Sequence, residues 1–188
     1  MVLTGVTLSG NQTNNGGGGI NNVGKLTLID CTVANNIALA GGGIDSNGDL
    51  TLLDSTISGN TAEGAGGLED LGGIVVVANS IIAGNSDDDN YVDEEDVVSM
   101  ASVDSLGFNL IGDTSASTGW IATDLTGTTA KPLNPKLAPL ANNGGPTQTL
   151  LPESGSPAIN HGSNALVPQG LTTDQRGLPR IVGPQQGT

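Results

Sequence analysis

The chain has 188 residues, with 30 glycines, 2% aromatic residues and 13% charged residues; 19 acidic against 5 basic side chains give a formal net charge of −14. That balance excludes a nucleic-acid backbone and an anionic membrane surface as partners, because both require a basic face. No apolar run approaches the ~20 residues of a membrane span, no signal peptide is visible, and a single cysteine excludes an internal disulfide or a multi-Cys zinc site.

Residues 1–86 form an internal repeat. Val6-Thr-Leu-Ser-Gly-Asn11, Cys31-Thr-Val-Ala-Asn-Asn36, Ser55-Thr-Ile-Ser-Gly-Asn60 and Ser80-Ile-Ile-Ala-Gly-Asn85 superpose, with their last asparagines 25, 24 and 25 positions apart. Gly17-Gly-Gly-Ile20, Gly41-Gly-Gly-Ile44 and Ala65-Gly-Gly-Leu68 follow the same period. Between these marks, Leu26-Thr-Leu28 and Leu50-Thr-Leu52 alternate with the period of two that marks a half-buried strand. Three short strands per period, separated by Asn/Gly turns, describe one coil of a parallel β-solenoid. The density of Gly, Asn, Thr and β-branched residues disfavours helix.

Coils stack roughly 4.8 Å apart, so equivalent residues fall into columns. Leu3/Leu28/Leu52/Val77 and Leu8/Val33/Ile57/Ile82 are expected to point inward, beside a small-residue column of Val6/Cys31/Ser55/Ser80. Cys31 is read from that column as a buried core residue. Asn11/Asn36/Asn60/Asn85 is expected to be an amide ladder at a turn, in the left-handed backbone that Asn tolerates. Thr27, Thr32, Thr51 and Thr56 alternate with the inward residues and are expected to be exposed.

Residues 87–130 form an acidic, partly aromatic and irregular coil, with the strand register resuming at Phe108-Asn-Leu-Ile111. Its first stretch, Asp87 to Asp96, carries seven carboxylates in ten residues. Such density cannot pack dry, so it reads as an exposed loop. It lacks the glycine of an EF-hand loop.

Residues 131–188 are a Pro-rich capping segment, laid along or over the C-terminal end of the solenoid. All nine prolines fall between Pro132 and Pro184. The stretches Leu137-Ala-Pro-Leu-Ala-Asn-Asn-Gly-Gly-Pro-Thr-Gln-Thr149, Leu151-Pro-Glu-Ser-Gly-Ser-Pro-Ala-Ile159 and Thr173-Asp-Gln-Arg-Gly-Leu-Pro-Arg180 resemble the choice-of-anchor Q domain. The Gly-Gly-Gly-Ile and Ser-Gly-Asn marks resemble the repeats of polymorphic outer-membrane proteins. The resemblance implies a right-handed parallel β-helix, agreeing with the handedness rule for parallel crossovers. It also implies an extracellular or bacterial cell-surface location and a longer parent protein, and it brings no catalytic residues with it.

The expected fold is therefore all-β, a right-handed single-stranded parallel β-helix with coils of about 24 residues. The expected function is a structural or adhesive module of an exported surface protein. Its partners would be other surface components or further copies, joined end to end through the uncapped first coil at Met1. The alternative is a polysaccharide hydrolase or lyase using the stacked acids of two columns, Asp30/Asp54 and Asp45/Glu69, whose neighbours would lie roughly 5 Å apart. No cofactor is implied. Calcium is the one metal the sequence suggests, held weakly by Asp87, Asp88, Asp89, Asp93 and Glu94, or less well by Asp30 and Asp54. Asp174 and Arg176 are expected to pair structurally. Ser156, His161 and Asp174 offer a triad in name only, since no nucleophile elbow surrounds Ser156.

Overall fold

A computed structural model describes residues 1–87 and 96–182. The first coil holds β1 (Val2–Thr4), β2 (Thr7–Ser9) and β3 (Ile20–Asn22), and the second holds β4 (Lys25–Ile29), β5 (Thr32–Ala34) and β6 (Ile44–Ser46). The third holds β7 (Asp49–Leu53), β8 (Thr56–Ser58), the short β9 (Thr61–Ala62) and β10 (Leu68–Asp70). The fourth holds β11 (Val75–Ala78), β12 (Ile81–Ile82), β13 (Ser86–Asp87) and β14 (Val97–Ser99). A fifth continues with β15 (Asp104–Gly107) and β16 (Leu110–Ile111), followed by β17 (Leu125–Thr126).

Every strand pairs with its equivalent one coil away, in parallel. The sheets run β1-β4-β7-β11-β15, β2-β5-β8-β12-β16-β17 and β3-β6-β10-β14, with β9-β13 as a two-stranded addition. This is a parallel β-solenoid. Its register is the one the columns predict: Leu3, Leu28, Leu52 and Val77 align, as do Leu8, Val33, Ile57 and Ile82. A third inward column, Ile20/Ile44/Leu68/Val97, comes from the Gly-Gly-Ile marks. Leu28, Val33, Ile44, Leu52, Ile57 and Leu68 are all buried in one core cluster. The glycines before Ile44 are required by the stacking itself. A Cβ on Gly43 would stand 2.6 Å from the Gly67 carbonyl of the next coil, and one on Gly42 would stand 2.5 Å from the Gly66 carbonyl.

Two expectations are corrected. The ladder asparagines do not carry the left-handed backbone; the residue before each does, at Gly10, Asn35, Gly59 and Gly84. The ladder residues Asn36 and Asn60 are instead fully buried and face the interior. The threonines keep their outward register but are not exposed: Thr27, Thr51 and Thr56 are half-buried, and Thr32 is buried.

The cover over Thr32 is the C-terminal segment, which turns back along the side of the solenoid. It forms an open hairpin, with antiparallel bridges Leu137–Pro152 and Ala141–Thr149. Thr7 Oγ1 donates to the Gln148 carbonyl at 2.6 Å, and Thr32 Oγ1 donates to Gln175 Oε1 at 2.8 Å. Gln175 Nε2 in turn donates to Thr7 and Thr147, while Thr147 Oγ1 donates to the Gly5 carbonyl. An outward Thr column with no charge is a surface that hydroxyl and amide groups can clasp.

Replacing Leu52 with Ala should destabilise the fold by about 2–5 kcal/mol, because coils locked in register cannot collapse around the cavity. Chemical denaturation followed by far-UV circular dichroism measures this. A cost below about 1 kcal/mol would mean that the stacked core relaxes freely.

Candidate functional site

Three groups of acids are the places where this fold concentrates chemistry. The first is the turn between the first and second strands of each coil, where Gly5, Asp30, Asp54, Asn79 and Phe108 all take positive φ. Asp pays for this strained conformation with a side chain that its neighbours can use. Arg180, from the C-terminal segment, inserts between Asp30 and Asp54: Nη2 pairs with Asp30 Oδ1, and Nη1 lies 3.1 Å from Asp54 Oδ1. The three side chains are only 14%, 9% and 4% exposed. One guanidinium cannot offset two buried carboxylates. Burial therefore raises the pKa of both acids, although Arg180 pulls each down. Asn79 Nδ2 donates to Asp54 Oδ1 and to the Ser163 carbonyl, extending the clasp to the next coil. The two acids that the sequence offers to calcium in this column are thus paired with the chain's own cation.

The second group is Asp45 and Glu69, register neighbours on β6 and β10. They face outward, yet Asp45 is only 6% exposed and Glu69 Oε2 is buried without a hydrogen-bond partner. The turn that closes each coil folds against them, and Asp45 Oδ2 sits where a side chain on Gly16 would be. Desolvation raises both carboxyls, and for Glu69 the charge of Asp45 adds to it, opposed by the Gly41 amide. No cationic side chain pairs with either acid among the described residues.

The third group closes the internal ladders. Asn11, Asn36 and Asn60 each donate both Nδ2 and the backbone N–H to Oδ1 of the next asparagine, at 2.9–3.1 Å. Asn85 donates the same pair to Asp96 Oδ1, at 2.8 and 2.9 Å. The small-residue column behaves alike. Cys31 and Ser55 donate backbone N–H groups to the next serine, Ser80 donates to Asn109 Oδ1, and Asn109 donates twice to Asp124 Oδ1. Asp124 Oδ2 is also satisfied, by Ser105 and the Ile121 amide. Each ladder thus runs from donor to acceptor along the solenoid and ends in a carboxylate, a group with no proton left to place. Cys31 is buried and its thiol is pushed up by desolvation, as a core residue would be.

The remaining sites read from the sequence are separated. Asp88, Asp89, Asp93, Glu94 and the side chain of Asp87 lie outside the described residues. Asp174 pairs with Arg176 at 2.6 Å. The Ser156 hydroxyl donates to the Pro135 carbonyl, and His161 Nε2 lies 3.0 Å from the Thr123 carbonyl. The three are held by different partners and form no triad. Sequence reasoning missed Arg180 and the terminal roles of Asp96 and Asp124. Arg180 could have been found from charge alone, since acids stacked in a buried turn require a cation and only the C-terminal segment carries arginine.

Arg180→Ala should cost about 3–5 kcal/mol at neutral pH by leaving Asp30 and Asp54 buried and unpaired. The deficit should shrink towards pH 4 as both acids take protons. Thermal melts of the two proteins across pH, with limited proteolysis of the C-terminal segment, read this out. An unchanged melt and an unchanged cleavage pattern would show that the clasp contributes nothing.

Burial raises Asp96 to about 6 from an ordinary 3.8, against the hydrogen bonds from Asn85 and Asp113. Between pH 4 and 6 the folded chain therefore holds a proton that the unfolded chain releases. The resulting stability, about 3 kcal/mol, is fully present below about pH 4 and is lost as pH rises through 6. Asp30, Asp45, Asp54 and Glu69 shift in the same direction, while Asp49 and Asp174 shift in the other. In metal-free buffer the melting temperature should rise as pH is lowered from 8 to 5. Asp96→Asn, which keeps the acceptor Oδ1 without the charge, should melt higher at pH 8 and flatten the rise. A melting temperature that falls steadily over that range would contradict the assignment.

No family model, curated protein or solved structure matches this chain.

Proposed function

We propose that the chain is a structural or adhesive module of an exported bacterial cell-surface protein, of the choice-of-anchor Q or polymorphic outer-membrane-protein-like kind. The observation that carries this reading is the C-terminal clasp. The motif residues that bear the resemblance, Asp174, Gln175, Arg176 and Arg180, bind each other and the first three coils. Their chemistry is used for rigidity. Such a module works by holding a long flat shape outside the cell, interacting with surface components and with further coils of its own kind.

The proposed end-to-end association would run through the first coil. The strands β1, β2 and β3 are the outer members of their sheets, and the inward residues Leu3, Val6, Leu8 and Ile20 are only partly buried there. An unpaired edge of this kind is a template for another coil. Head-to-tail addition does not close on itself, so it gives filaments rather than dimers.

The second reading, a hydrolase or lyase acting on polysaccharide, is favoured by Asp45 and Glu69, two stacked acids with raised pKa and no cationic partner among the described residues.

Light scattering over a concentration series, with electron microscopy of the same samples, should show linear particles that grow with concentration. Val2→Lys, at a position 62% exposed on the outer strand, should suppress them without unfolding the chain. A monomer at every concentration would remove the filament. Release of reducing ends from a polysaccharide panel, abolished by Asp45→Asn or Glu69→Gln, would replace the structural reading with the enzymatic one.

A further inference from the structure

The two ladder ends do the same job with unequal completeness. Asp124 receives hydrogen bonds on both oxygens from four donors. Asp96 does not stand alone: its Oδ2 abuts the backbone of Gly112, the next residue is a second buried acid, Asp113, and the charge of Asp113 acts on it. Asp96 is 3% exposed and Asp113 is 0% exposed. Asp113 Oδ1 accepts from the Ser115 amide at 2.8 Å, whereas Asp113 Oδ2 is buried and accepts nothing. No cationic side chain pairs with either acid among the described residues; Lys25, Arg176 and Arg180 serve Asp49, Asp174 and the Asp30/Asp54 column.

Burying a carboxylate without a proton, a cation or hydrogen bonds costs several kcal/mol. This pair has an orphan oxygen and excess negative charge in one place. Asp96 lines a cleft of about 310 Å³ with Gly84, Asn85, Leu133 and Pro135. The backbone of Gly112 lies against Asp96 Oδ2, at a spot that any larger side chain would fill.

We propose that Asp96 and Asp113 form a calcium site at the end of the asparagine ladder. The donors are oxygen only, which selects a hard cation. Two carboxylates from separate segments, completed by water from the cleft, suit the irregular shell that calcium accepts and not the strict octahedron of magnesium. Bound there, the ion would tie the fourth coil to the fifth, joining β14 to the turn after β16. The site does not depend on the surface-module reading.

The test is calcium titration of metal-stripped full-length chain by calorimetry and by thermal melting, with sodium chloride at matched ionic strength as the control. The expected result is one site with a Kd of about 10⁻⁴–10⁻³ M and a calcium-specific rise in melting temperature. Asp113→Asn should weaken binding at least tenfold and abolish the rise, while Asp88→Asn/Asp89→Asn should leave both in place. Asp113→Asn removes a buried charge, so circular dichroism should show it folded without calcium; should it not fold, the same loss in Asp96→Asn decides. The proposal is overturned if calcium changes nothing beyond the sodium control. It is equally overturned if the rise survives in the Asp113 or Asp96 variant, or disappears with the loop variant.

Discussion

Direct stacking at roughly 4.8 Å is the constraint on which everything else in this molecule depends. A residue in one coil sits over its equivalent in the next, so each column must tolerate self-contact through the length of the solenoid. Leu, Val and Ile columns satisfy this by packing, with Trp120 partly buried against the cluster they form. Glycines satisfy it where two backbones must pass at a distance that leaves no room for a Cβ, as at Gly42 and Gly43.

Buried polar residues meet the same constraint through direction. An asparagine has as many donors as acceptors, so a column of them can pass hydrogen bonds from coil to coil without an orphan in the middle. Asn60 is typical: it accepts from Asn36 and donates to Asn85 Oδ1 and to the Val33 carbonyl of the previous coil. Such a chain leaves a demand at its end, where the last residue must accept without needing to donate. Asp96 and Asp124 meet that demand, and Asp96 does so at the cost of burying its charge. The acids of this protein are therefore of two kinds: those that solvate the surface, and a buried minority tied to the geometry of the coils.

The C-terminal segment applies a different kind of force. It is aperiodic and crosses several coils on their outer face, with Gln175 on the first two and Arg180 between the second and third. A solenoid whose units contact only their neighbours is open to fraying from either end. A strap that bonds to several units at once makes local opening of one coil costly to the others.

The sequence by itself determined the period, the three principal strands of each coil and the membership of the inward columns, because each rests on a short pattern that recurs from coil to coil. Leu28, Ile57 and Leu68 can be assigned to the core from their neighbours alone. The tertiary structure decided whatever depends on a single, unrepeated contact. Thr32 reads as a surface residue until Gln175 lies over it. Asp30 reads as one of a column of stacked acids until Arg180, 150 residues away, reaches it. Asp96 reads as the end of an exposed acidic run until its carboxylate is found closing the asparagine ladder. Periodicity reports what a residue shares with its equivalents one coil away. It carries no information about a segment that has no equivalent, and in this protein that segment supplies the cation, the clasp and the cover.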